Sequence, residues 1–140
     1  MIYITGNTHG DINRFETEQT KKFTSEDYLI ICGDFGFIWN GGKREEKQLE
    51  ILSQKPYTIL FVDGTHENFD LLNAYPTRQW NQGTVHEIRP NILHLMRGEI
   101  FEIDGHSLFA FGGGETEEKE IYMETGRWWP EEMPTREEMI

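Results

Sequence analysis

Hydrophobic and polar positions along the chain fall into three similar units and then change character. Ile2-Tyr3-Ile4-Thr5 is a short apolar strand that stops at Gly6. Tyr28-Leu29-Ile30-Ile31-Cys32 is almost continuously apolar, as a strand covered on both faces should be, and it stops at Gly33-Asp34. Tyr57 to Val62 is a third apolar run, ending at Asp63-Gly64. The polar stretches between them predict helices over Ile12 to Phe23, over Lys43 to Ser53 and over Asn68 to Ala74. In the second of these, Leu49 and Leu52 fall on one helical face. Strands alternating with helices predict a parallel α/β sheet, whose ligand crevice lies outside the carboxyl ends of the strands. Each run ends in a glycine with polar neighbours, at Gly6 to Asp11, Gly33 to Gly36 and Gly64 to Asn68. These three clusters are therefore expected side by side.

After Pro76 the runs become shorter and β-rich: Val85 to Ile88, Ile92 to Met96, Glu99 to Ile103 and Ser107 to Phe111. Arg89-Pro90-Asn91, Arg97-Gly98 and Asp104-Gly105 separate them with turn chemistry, and Asp104-Gly105 is the strongest hairpin signal in the chain. Gly112-Gly113-Gly114 then breaks the order, and Trp128-Trp129-Pro130 and a helix-prone stretch from Glu131 to Met139 follow. The expected organisation is one domain over residues 1–114 and an acidic, partly helical tail over 115–140.

Composition narrows this picture. A chain of 140 residues suits one domain with a core, and 13% aromatic content offsets a modest 36% of hydrophobic residues. No apolar stretch approaches the roughly 20 residues that span a bilayer. The N-terminus reads as a strand and not as a signal peptide. Cys32 is the single cysteine, so no intrachain disulfide forms and a cytoplasmic location is expected. The net charge of -12 opposes direct binding to nucleic acid and suits a basic surface on a protein partner. Part of that charge is concentrated: residues 115–140 hold nine Glu against Lys119, Arg127 and Arg136.

The ordered clusters Gly-Asn-Thr-His-Gly-Asp, Gly-Asp and Gly-Thr-His-Glu-Asn resemble the signature of the calcineurin-like metallophosphoesterases, in particular the small bacterial and phage type. There Asp-x-His, Gly-Asp and Gly-Asn-His-Glu/Asp follow three consecutive strands. The resemblance runs from Met1 to Gly114 and implies a partial metallophosphoesterase fold: a parallel βαβαβ front half, a β-rich hairpin segment and the acidic tail. In such enzymes two divalent ions activate a bridging water for in-line attack on phosphorus. The resemblance implies that His9 is a ligand of the first ion and Asp34 a bridging carboxylate. His66 would stabilise or protonate the leaving oxygen.

The departures from that pattern carry as much information as the matches. Asn7 stands where the family has an anionic Asp ligand, and Thr65 where it has an Asn ligand. The family's His-x-x-Pro and Gly-His-x-His motifs are not found, and no histidine follows Gly114. His86, His94 and His106 stand in no such motif and read as ordinary strand or turn residues. Two remaining ligands, His9 and Asp34, fall short of the three protein ligands that a catalytic metal normally keeps. All these departures run in one direction, so Asn7 reads as part of a natural loss.

The expected function is a catalytically degenerate metallophosphoesterase-like protein, repurposed as an acidic protein-binding or inhibitory module. A phage-derived inhibitor of a nucleic-acid-handling defence protein, such as an anti-CRISPR protein, is its most concrete form. Glu115, Glu117, Glu118, Glu120, Trp128 and Trp129 are the candidate partner-binding residues, although the two tryptophans also suit a core plug. The front half of this fold alone would leave a sheet edge or apolar face exposed, which predicts a protein partner or a homo-oligomer. No cofactor is expected. The alternative is residual phosphoesterase activity with one divalent ion (Mn, Fe, Zn or Ni) on His9 and Asp34, completed by water, Asp11 or a second subunit.

Overall fold

The computed structural model describes residues 1–64 and 67–112. Its centre is a six-stranded mixed sheet, joined by a two-stranded hairpin. The first three strands are the expected ones: β1 (Ile2–Thr5), β2 (Tyr28–Cys32) and β3 (Thr58–Val62). They run parallel, with Ile4 beside Ile30 and Ile30 beside Leu60. β4 (Thr77–Trp80), β5 (Gly83–Arg89) and β6 (Ile92–Leu95) complete the sheet, in the order β1-β2-β3-β6-β5-β4.

Strand alternation divides the core in two. Leu29, Ile31, Ile59, Phe61, Ile88 and Ile92 face one side, where they meet the helices and the aromatic loop residues Phe35 and Phe37. Ile30, Leu60, Val85, Leu93 and Leu95 face the other, where Phe101 and Ile103 of the hairpin close over them. Among the described residues, cover of that second side is only partial. Ile4 and Phe109 each keep 66% of their surface exposed. The outer strands β1 and β4 have no further strand neighbour among the described residues.

α1 (Lys43–Ser53) buries Leu49 and Leu52 as its pattern requires, and α2 (Phe69–Leu72) is capped by the Asn68 side chain. The helix expected over Ile12 to Phe23 does not form as such. Two 3-10 turns, Ile12–Phe15 and Thr20–Lys22, take its place. The local reason is side-chain competition for the backbone. Thr20 Oγ1 donates to the Phe15 and Thr17 carbonyls at 3.0 Å, and the Thr20 amide donates to Thr17 Oγ1.

The β-rich stretch also differs from expectation. β6 lies parallel to β3, with Leu60 beside Leu93 and Phe61 beside His94, so it extends the first sheet instead of following it. β4, a polar strand with no apolar alternation, carries no sequence signal. Its pairing with β5 turns through Asn81 and Gln82, both at positive φ. The Asp104-Gly105 turn forms as expected between β7 (Ile100–Ile103) and β8 (His106–Phe109), and both turn residues have positive φ. No helix among the described residues is long and apolar enough to cross a membrane.

Candidate functional site

The ends of β1, β2 and β3 bring the first two glycine clusters into direct contact. The amides of Thr8 and His9 donate to the Asp34 carbonyl at 3.2 and 2.9 Å, and the Gly10 amide donates to the Phe35 carbonyl at 3.0 Å. Thr8 Oγ1 donates to the same Phe35 carbonyl at 2.7 Å. The third cluster enters through Glu67, whose Oε1 accepts the Phe35 amide at 2.6 Å. Gly64 lies so close to Asp34 that a Cβ there would overlap its carboxylate. His9 and Asp34 have φ of 48° and 45°, so two non-glycine residues hold left-handed backbone at the centre of this crossing. Such strain, of order 1–3 kcal/mol per residue, persists only where surrounding contacts impose it.

Three of the predicted site residues meet here. Asn7 Nδ2 donates to Asp34 Oδ2 at 3.2 Å. His9 Nε2 lies 3.9 Å from that same oxygen and 3.5 Å from Asn7 Nδ2. Arg14 braces the loop from below, donating to the Asn7 carbonyl and to Thr5 Oγ1. Asp34 is largely buried, whereas the His9 side chain is 53% exposed. Asp11 does not reach toward the site: its carboxylate accepts the Asn13 amide as the cap of the first 3-10 turn. Thr65 and His66 lie outside the described residues, as do Glu115, Glu117, Glu118, Glu120, Trp128 and Trp129.

The donor set tests whether these residues fit a metal. At Asn7 an amide N–H points at the carboxylate, where a metal ligand would have to offer an oxygen. No group of three or more His, Cys, Asp or Glu side chains among the described residues is arranged to hold an ion. One carboxylate and one imidazole do not make a two-ion centre, and the described residues do not fit one. Beneath them Glu67 is fully buried, and its carboxyl is pushed well above the usual carboxylate range. Burial is the main cause; the Phe35 N–H opposes it, and the charges of Asp63 and Asp34 add to it.

The same crossing opens onto an apolar trough of about 480 Å³. Ile4, Ile30, Val62, Leu108 and Phe109 form its walls, and Asn7 and Asp34 lie at its polar end. Cys32 lines it too, and burial raises its thiol pKa.

Sequence reasoning missed a second cluster behind β3. Asp63 is 2% exposed and accepts His94 Nε2 at 2.9 Å on one oxygen. On the other it accepts Arg97 Nε and Nη2 at 3.0 and 2.7 Å. His86 Nδ1 meets His94 Nδ1 at 3.0 Å, with the two rings nearly parallel. His86 and His94 thus do more than occupy strand positions. Burial opposes charge on Asp63, but the bonds and charges of His94 and Arg97 outweigh it and hold the carboxyl below its usual value. Burial, with the neighbouring His94, pushes His86 down to about 4. Only the equivalent sequence positions of His86 and His94, two residues in from the ends of adjacent β-rich runs, hinted at a pair.

The comparisons with known proteins agree with the geometry at the level of family. The model of the calcineurin-like phosphoesterases matches residues 1–138. Comparison with curated proteins and with solved structures returns no match.

Proposed function

This chain belongs to the calcineurin-like phosphoesterase family, and we propose that it is a member whose two-metal chemistry has lapsed and whose surface now binds a protein. The observation that carries this reading is the Asn7 amide donating to Asp34 at 3.2 Å. An amide in this place removes the negative charge that would hold the first ion, and it occupies a lone pair of the carboxylate that would bridge to a second. Thr65 departs from the family's ligand pattern in the same direction.

The replacement role rests on charge and on exposed apolar surface. A net charge of -12 is suited to a basic partner, and the trough beside Asp34 carries exposed Ile4 and Phe109. The partner class proposed is the basic face of a nucleic-acid-handling protein, in the manner of a phage-encoded inhibitor of a CRISPR nuclease acting in the cytoplasm. Glu115, Glu117, Glu118 and Glu120 supply charge, and Trp128 and Trp129 supply apolar anchors.

Two measurements test the halves separately. Calorimetric titration with manganese, followed by a nitrophenyl phosphate assay, should give neither tight binding nor turnover. Turnover abolished by Asp34→Asn would establish instead the single-ion phosphoesterase, with His9 and Asp34 as its ligands. Replacing the four glutamates by glutamine should weaken capture of a basic nuclease at low salt. Unchanged capture would remove the electrostatic basis, and sedimentation as a dimer would point to a second copy as the occupant of the trough or sheet edge.

A further inference from the structure

The buried cluster behind β3 serves no step of the reading above, yet its bonding has a direction. Asp63 is ionised beside Arg97 and can only accept, so His94 must carry its hydrogen on Nε2. When His94 carries no second hydrogen its Nδ1 is bare, and the hydrogen in the 3.0 Å Nδ1···Nδ1 contact belongs to His86. The chain of donors runs His86 to His94 to Asp63, and Arg97 closes it from the other side.

One additional proton can be taken up without breaking this chain. His94 would hold hydrogens on both nitrogens, and His86 would move its own hydrogen to Nε2 and become the acceptor. A second additional proton would set two cations 3.0 Å apart in a buried space, and the contact would have to open. Among the described residues, a few charged and titratable groups surround the pair. Asp63 stands at the end of β3, Arg97 follows β6 and lies over the Phe69 ring, and Glu67 acts on Asp63 from the loop before α2. The Arg78–Glu87 ion pair bridges the neighbouring β4 and β5. Phe61 stacks on His94 and completes the enclosure.

The chain ends at a place that matters for the candidate site. Asp63 precedes Gly64, the residue pressed against Asp34, and Gly112 is pressed in turn against Asp63. We infer that His86 and His94 are positioning residues which, through Asp63, hold the Asp63-Gly64 turn against Asp34, and that protonation of both rings opens the contact between them and so loosens, without breaking, this hold. The pair is a proton-sensitive latch behind Asp63, which lines the trough. It does not depend on whether the trough binds a protein, an ion or nothing.

The test uses the intact protein with nitrogen-15-labelled imidazoles, followed by NMR from about pH 8 to about pH 4. At the upper end His94 should show the Nε2–H tautomer and His86 the Nδ1–H tautomer. A scalar coupling should run between the two Nδ1 nuclei. On acidification the Arg97 Nε–H resonance should shift together with the His86 ring. In His86→Gln, whose amide can still donate to His94 but takes up no proton, that joint shift should be lost while the fold is kept. An Arg97 resonance that shifts equally in His86→Gln would overturn the inference, as would a His86 ring titrating like an exposed histidine. Should His86→Gln fail to fold, the wild-type tautomers and the coupling decide alone: their absence sinks the latch, and their presence with the joint shift sustains it.

Discussion

Two clusters of histidine and aspartate lie along the same sheet, one beyond the ends of β1 and β2 and the other at the end of β3 and on β5 and β6, and they are built to opposite specifications. At the first, the His9 imidazole nitrogen and the Asp34 carboxylate oxygen lie 3.9 Å apart, the imidazole is half exposed, and a neutral amide donates to the same oxygen. At the second, His94, Asp63 and Arg97 meet at 2.7–3.0 Å with every partner nearly excluded from water. Residue type is the same, but environment is not. An open, loosely spaced set contributes little to stability and leaves room for a ligand. A closed set is satisfied internally and acts on the fold, because a buried charge deprived of its partner is expensive.

The sharpest way to break the comparison is to apply one substitution to both. Asp63→Asn leaves the Arg97 guanidinium buried without its counter-charge and should cost about 3 kcal/mol in urea unfolding. Asp34→Asn should cost under about 1 kcal/mol, since asparagine tolerates the left-handed backbone and one charge acting on Glu67 is removed. Equal losses at the two positions would erase the distinction. Gly83→Ala probes the hairpin that closes the second face. A Cβ there would lie 2.8 Å from Phe101 Cδ1 and closer still to its Cε1. A loss of about 2 kcal/mol is expected, read as a lower thermal midpoint.

Acid should act on the closed cluster at a smaller magnitude. The folded state holds His86 at about 4, below its ordinary 6.5, so between those values the unfolded chain binds more protons. Stability from His86 is therefore complete above about pH 6.5 and is lost as the pH falls toward about 4. A total of about 2 kcal/mol is expected, allowing for partial solvent screening. The depressed Asp63 carboxyl adds stability that is present above its ordinary 3.8 and disappears only below it. His86→Gln should remove the upper part of this pH dependence and spare the lower. The smallest change is expected at the open cluster. Asn7→Asp places two carboxylates side by side, costing about 0.5–1 kcal/mol in chelator. The same variant should bind manganese about tenfold more tightly by calorimetry, since an anionic ligand is restored.

Much of the open cluster was legible along the chain. Apolar runs that end in glycine and polar residues state both where the strands stop and that their ends converge, and the order of the clusters identifies the family. Asp104-Gly105 specified its own turn, because only a few residue pairs accept positive φ twice in succession. These are local properties of short segments. The 3-10 turns in place of the first helix were less legible, since Thr17 and Thr20 compete for backbone partners only in the geometry the loop adopts.

The sequence by itself thus determined the three parallel strands, their glycine-rich ends and the place of Asn7, His9 and Asp34 at those ends. The tertiary structure alone decided that β6 lies against β3, and with it that His94 reaches Asp63 across 31 positions of sequence. It also decided that the Asn7 amide faces the Asp34 carboxylate across 27. The physical reason is that strand propensity and turn chemistry act between neighbours in the chain, whereas hydrogen bonds between distant side chains exist only once the register of the sheet has brought them together.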